Sequence, residues 1–298
     1  MNLRRRALSL AAMAALALAL VPTPALAAAI DVCAPGDSAA RDTHVDRNGV
    51  AREKDTGQAH RDLPARAKGK APSGFSATVP VYFHVITDGS VGSLTDRQIR
   101  SQIGVLNDGF DGSEGGTDTG FSFTLTGITR TNNAAWFATT GSAEAQMKQA
   151  LKQGGDNAMN VYSTSGGGAL GWAYLPSITE SSQSYLDGVV LNWETVPGAS
   201  DTWAGRFDLG KTLTHEAGHW VNLEHTFFGG CNKGDFVEDT PPQKTPTSGC
   251  PEGRDTCKAP GLDPIHNYMD YSDDPCYTQF TSGQTQRMRD SWLLYRAS

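Results

Sequence analysis

The chain has 298 residues, 38% of them hydrophobic and 8% aromatic, and a formal net charge of −7. An acidic balance repels nucleic acid and suits basic peptides. Only one stretch is apolar enough to be considered for a membrane, and it stands at the N-terminus. There, Arg4-Arg5-Arg6 precede an apolar run from Ala7 to Val21 and the small residues up to Ala27. That order reads as a secretory signal over residues 1–28, and the run is too short and Ala-rich for a membrane span. The mature protein is therefore expected to be soluble and secreted, with no membrane partner.

Residues 29–72 are polar, charged and nearly free of large apolar side chains. Such a segment cannot bury enough surface to fold alone. It is either a linker or a pro-segment lying over an active site.

From residue 73 the pattern changes. Val79 to Thr87 reads as a strand. Thr95 opens a helix through a capping box with Gln98, and Ile99, Ile103, Leu106 and Phe110 share one face. Phe121, Phe123 and Leu125 alternate as a second strand. A helix from Ala143 to Gln153 stops at Gly154-Gly155. Short strands follow at Met159 to Ser163, Leu170 to Tyr174 and Gly188 to Trp193. A helix capped near Asp208 comes next, and a last helix runs from Ser282 to Tyr295. Strands and helices alternate at first and irregular chain dominates later, which predicts an α+β domain over residues 73–298. His84 and His266 read as hydrogen-bonded structural residues.

The run His215-Glu216-Ala217-Gly218-His219-Trp220-Val221-Asn222-Leu223-Glu224-His225 carries the chemistry. Histidines four apart on a helix share a face, so His215 and His219 can take two corners of a zinc tetrahedron. His225 adds a third nitrogen if the helix stops near Asn222 and the chain turns back. Three protein ligands leave one position open, the mark of a catalytic site. Glu216 is then placed to act on a water there rather than to bind the metal. The bland alternative is an amphipathic helix with solvated histidines.

This run resembles the extended zinc signature of the metzincin metallopeptidases, His-Glu-x-x-His-x-x-Gly-x-x-His. Its flanks are similar to the pappalysin family, in particular the ulilysin-like, cytophagalysin-type secreted proteases of bacteria. The likeness continues through His225-Thr226-Phe227, Asp239-Thr240-Pro241, Leu262 to Tyr271 and Phe280 to Gln284. One departure is Asn222, where the family has glycine. The turn needs left-handed backbone, and Asn is the next residue most tolerant of it. The resemblance implies a metzincin-type zincin, with a twisted mixed sheet and zinc helix in an upper lobe and a loop-rich lower lobe bearing a methionine turn. Asn267 to Tyr271 fits that turn, with Met269 as a floor beneath the imidazoles and the Tyr271 phenol reaching toward the metal or transition state. It also implies that Gly171-Trp172-Ala173 is the sheet edge to which an extended substrate adds.

Four cysteines in the second half allow three pairings. The family's layout favours Cys231 with Cys257 and Cys250 with Cys276, and export favours disulfides over metal binding. Among them, Asp235, Glu238, Asp239 and Thr240 are hard oxygen donors of the kind calcium takes. The resemblance also implies structural calcium, expected on Asp235, Asp239 and Thr240. The fifth cysteine, Cys33, lies in the segment to be removed. A thiolate is a good zinc ligand, so Cys33 is expected to fill the open position and keep a zymogen latent.

These features together predict a secreted, monomeric zinc endopeptidase acting on peptides or proteins, with Glu216 as general base and Tyr271 assisting. Asp273 and Asp274, just past the methionine turn, suggest a primed-side pocket for Arg or Lys and make Arg66 a self-processing point. Two alternatives stand beside this: a secreted binding module stapled by disulfides and calcium with a non-catalytic zinc, and the same fold acting on a non-peptide ester or amide.

Overall fold

The computed structural model describes residues 50–232 and 234–297. The expected signal segment, the first part of the pro-segment and Cys33 lie outside the described residues.

The strands β1 (Ala77–Thr87), β2 (Phe121–Asn132), β3 (Met159–Thr164), β4 (Gly171–Ala173) and β5 (Val189–Asn192) form one sheet in the order β2-β1-β3-β5-β4. Strands β2, β1, β3 and β5 run parallel, and β4 closes one edge antiparallel to β5. Side chains alternate across the sheet with the strand period of two. Val79, Val81, Phe83 and Val85 of β1, Val161 of β3 and Leu191 of β5 face one core. That core is completed by α1 (Asp96–Phe110), α4 (Lys211–Trp220) and α5 (Ser282–Tyr295). Ile86, Tyr162, Trp172 and Val190 face the other side, against Phe137 of α2 (Ala134–Ala138) and Met147 of α3 (Ala143–Leu151). With both faces covered, the central strands read as apolar runs rather than clean alternations.

Helix α1 begins at the expected capping box: Thr95 accepts from the Gln98 backbone while the Gln98 side chain accepts from Thr95. Helix α5 repeats the device with Thr281 and Gln284. His84 is a core residue, its ring nitrogens 2.7 Å from the Thr129 hydroxyl and 2.9 Å from Asn160 Oδ1. His266 packs its Nδ1 2.7 Å from the Cys276 carbonyl.

Helix α4 differs from expectation at its start. Asp208 is not its cap; its carboxylate accepts from Gly205 N–H. The helix follows Gly210 in left-handed backbone (φ 86°), and the Asp274 carboxylate accepts from Leu209 N–H at 2.9 Å and Lys211 N–H at 3.3 Å. Ten residues are too few for a helix to stand alone in water. All ten are buried here, so packing between sheet and lower lobe holds it.

Beyond α4, among the described residues, the chain has only short 3-10 turns before α5. Two disulfides, Cys231–Cys257 and Cys250–Cys276, each span 26 residues of it. Closing loops of that size limits the unfolded chain by about 3 kcal/mol each, which offsets the little regular structure there. Among the described residues no helix is long and apolar enough to cross a membrane.

Candidate active site

The site begins where α4 ends. Asn222 adopts φ 83°, and Leu223 N–H donates back to the Gly218 carbonyl at 2.9 Å, reversing the chain. Arg287 of α5 fixes the corner by donating from Nε to the Asn222 carbonyl at 2.8 Å. The reversal carries His225 back to His215 and His219. Their Nε2 atoms stand 3.2 Å (His215–His219), 3.3 Å (His215–His225) and 3.1 Å (His219–His225) apart. Zinc–nitrogen bonds of 2.0–2.1 Å at tetrahedral angles need about 3.3 Å between ligand atoms.

The back nitrogens support the same role. Nδ1 of His215 lies 2.5 Å from the Tyr268 carbonyl, and Nδ1 of His219 lies 2.7 Å from the Leu223 carbonyl. Such carbonyls hold the proton on Nδ1 and leave the Nε2 lone pair free for a metal. Burial holds His215 down to about 4, in the neutral form a ligand needs. The residues present therefore fit zinc.

Met269 is fully buried beneath this set. A Cβ added to Gly218 would meet its sulfur at 2.4 Å, so the helix carries glycine where the methionine floor presses closest. The Tyr271 ring lies 4.9 Å from His225 and 5.8 Å from His215. Glu216 is 1% exposed and faces the edge strand, where a Cβ on Gly171 would come within 3.0 Å of its Oε1. Burial, reinforced by the nearby Glu53 charge, pushes its carboxyl well above the usual range.

Glu53 is the residue sequence reasoning missed. Its Oε1 contacts His215 Nε2 and lies 3.2 Å from His219 Nε2 and 2.9 Å from His225 Nε2. Glu53 thus completes a four-residue donor set with His215, His219 and His225; Cys33 lies outside the described residues. Burial opposes the charge, but His225, His219 and His215 outweigh it and bring Glu53 well below the usual carboxylate range. No local motif announces it, because its partners are more than 160 residues away.

The chain around Glu53 lies along β4. Leu170 and Gly171 N–H donate to the Arg52 carbonyl at 3.1 and 3.3 Å, and Glu53 bridges Gly171 in parallel sense. Further on, Gln58 brackets the Leu175 backbone with both side-chain ends. His60 reaches Glu224 at 2.6 Å, and Asp62 accepts from Arg287 at 2.9 Å.

Arg52 is buried in a pocket lined by Phe207, Thr212, Tyr271, Asp274 and Tyr277. Its guanidinium lies 3.9 Å over Phe207 and donates to the Ser272 carbonyl at 2.5 Å. Burial pushes Asp274 up to about 7, against the pull of the Leu209 and Lys211 N–H groups, Arg52 and Lys211. Asp273, expected beside it, is committed to Arg206 at 3.2 Å.

The expected calcium residues separate. Thr240 Oγ1 donates to Asp235 and lies 2.9 Å from the Val237 carbonyl. Asp239 points elsewhere, accepting from Thr281 Oγ1 and Gly283 N–H, each at 2.7 Å, at the start of α5.

Known proteins agree with this geometry. A peptidase M43 family model, described as pregnancy-associated plasma protein-A, matches residues 156–292. An extracellular metalloprotease of Pyricularia oryzae is 46% identical over 244 residues, covering 79% of this chain and 82% of that one. Another, from Neurospora crassa, is 42% identical and covers 95% and 96%. Among solved structures, a promirolysin mutant of Tannerella forsythia matches with TM-score 0.67 at 28% identity, covering 76% of this chain and 83% of that one. Mature mirolysin with a cleaved peptide matches with TM-score 0.63 at 29% identity, covering 73% and 92%. The chain thus belongs to the pappalysin (M43) family of metzincins and is a zinc metalloprotease.

Proposed function

We propose that this protein is a secreted zinc endopeptidase, made as a latent zymogen and favouring peptide bonds beside basic residues. The reading rests on Arg52 and Glu53 pairing through their backbone with the edge strand β4, with Glu53 among the three imidazoles. A stretch of peptide already lies where an extended substrate would pair through its main chain. That the relatives are extracellular metalloproteases supports secretion.

His215, His219 and His225 hold the zinc. When bound, it supplies a Lewis acid that polarises a carbonyl and eases deprotonation of a water. Glu216 takes the proton from the attacking water and delivers it to the leaving amine. The Tyr271 phenol, beside His225, stabilises charge on the former carbonyl oxygen. Gly171 to Ala173 align the substrate backbone, and the Asp274 pocket takes a Lys or Arg side chain on the primed side, as it takes Arg52 in the zymogen. Glu53 keeps the zymogen latent, and calcium is bound by Asp235, Thr240 and the Val237 carbonyl.

The test is Glu216→Gln in the mature protein. Zinc content should stay unchanged while peptide cleavage falls by about a thousandfold. Near-wild-type cleavage by this variant would refute the assignment of the base.

A further inference from the structure

Lys54 follows Glu53 through the cleft, on the opposite side of it from Arg52. Its Nζ lies 3.1 Å from Glu144 Oε2 and 4.8 Å above the Trp172 ring. Glu144, in α3, is 4% exposed, and Trp172, in the edge strand, is 1% exposed. The two are joined, because Trp172 Nε1–H donates to Glu144 Oε1 at 2.9 Å. Buried Lys148 also contacts Oε1, at 3.1 Å, and donates its Nζ to the Leu186 carbonyl. The upper lobe itself thus engages the carboxylate through Trp172, Lys148 and a hydrogen bond with Tyr174, while Oε2 meets a cation brought by the pro-segment. Burial works against the charge, but Lys148, the Trp172 N–H and Lys54 together keep Glu144 below the usual range.

The geometry points to a second cation subsite made of Glu144 and Trp172. In the mature enzyme it receives a Lys or Arg side chain from the substrate, on the other side of the scissile bond from the residue in the Asp274 pocket. This rests on the peptidase reading and extends it from one basic residue to two flanking the cut. A cation over an indole face and an ion pair at a partly exposed site together amount to about tenfold in binding. A glutamine or methionine side chain offers neither.

The experiment uses the mature domain and peptides with a fixed primed-side Lys. Lys, Arg, Gln and Met are placed in turn at each of the three positions before the cut, and kcat/KM is compared. We expect about a tenfold preference for Lys or Arg at one position, falling below twofold in Glu144→Gln while the primed-side preference persists. Were Glu144 only a partner for Lys148, the wild-type profile would be flat at all three positions, and the subsite would be overturned. A preference that survives Glu144→Gln would overturn it as well. If that variant does not fold, the wild-type panel decides alone. Failure to cut any peptide would remove the peptidase reading and the subsite with it, whereas primed-side selection with a flat profile removes the subsite only.

Discussion

Gly218 of the zinc helix stands directly over the Met269 sulfur, leaving no room for a methyl group: an added Cβ would lie 2.4 Å from it and 3.5 Å from Phe280. Helix propensity alone makes Gly218→Ala stabilising by about 1 kcal/mol. Met269 is fully buried, so overpacking, which costs about 1–3 kcal/mol, wins. We expect Gly218→Ala to lower Tm and zinc retention. Gly218→Ala with Met269→Ala should recover part of the Gly218→Ala loss, because the two sites touch. Strict additivity of the two changes in thermal melts would contradict the contact.

The proposed latency has two candidate residues, Glu53 and Cys33. If the Glu53 carboxylate holds the fourth position, Glu53→Ala should give a full-length protein that cleaves peptides or matures far faster than wild type. Cys33→Ala should then stay latent. Following activity of both purified proforms over time separates them, and the reverse pattern would return the role to the thiol.

Asp274 would give the proposed basic preference a pH dependence. Its carboxyl is pushed up to about 7 by burial, so it is mostly neutral below that pH and ionised above. Attraction for a primed-side Lys or Arg is therefore present above about 7 and fades as pH falls through it. The ratio of kcat/KM for basic over neutral primed-side residues should rise between about pH 6 and pH 8. Asp274→Asn keeps an acceptor for the Leu209 and Lys211 N–H groups, so it should fold and lose the ratio at every pH. A ratio independent of pH in wild type would dismiss the pocket assignment.

The calcium reading sorts two neighbouring aspartates. Asp235→Asn should abolish any stabilisation that calcium gives in thermal melts. Asp239→Asn should cost about 1 kcal/mol as a weakened helix cap and leave the calcium response intact. Equal loss of that response in both variants would restore Asp239 as a ligand.

Much of this was legible in the chain because it depends on local spacing. The capping boxes at Thr95 and Thr281 need only residues three apart, and the two four-spaced histidines need only one helical turn. Asn222 could be read as the tolerated substitute for glycine, and it does adopt positive φ. The disulfide pairing came from likeness to a family, since spacing alone left three choices. What stayed hidden depends on distant partners. The N–H groups at the start of α4 are met by Asp274, more than 60 residues away, so nearby Asp208 drew the assignment. Glu53 sits in a polar segment whose composition says nothing about where it docks. Asp239 shows in the sequence as a carboxylate, but the Thr281 hydroxyl it accepts from, 42 residues away, does not.

The central claim is that the three imidazoles and Glu216 form a peptide-cleaving centre. The most direct measurement is digestion of a mixed peptide library by the mature domain, with and without a zinc chelator. Cuts should vanish with chelator, return with added zinc and cluster beside Lys or Arg. A folded, zinc-loaded protein that cuts no peptide would contradict it.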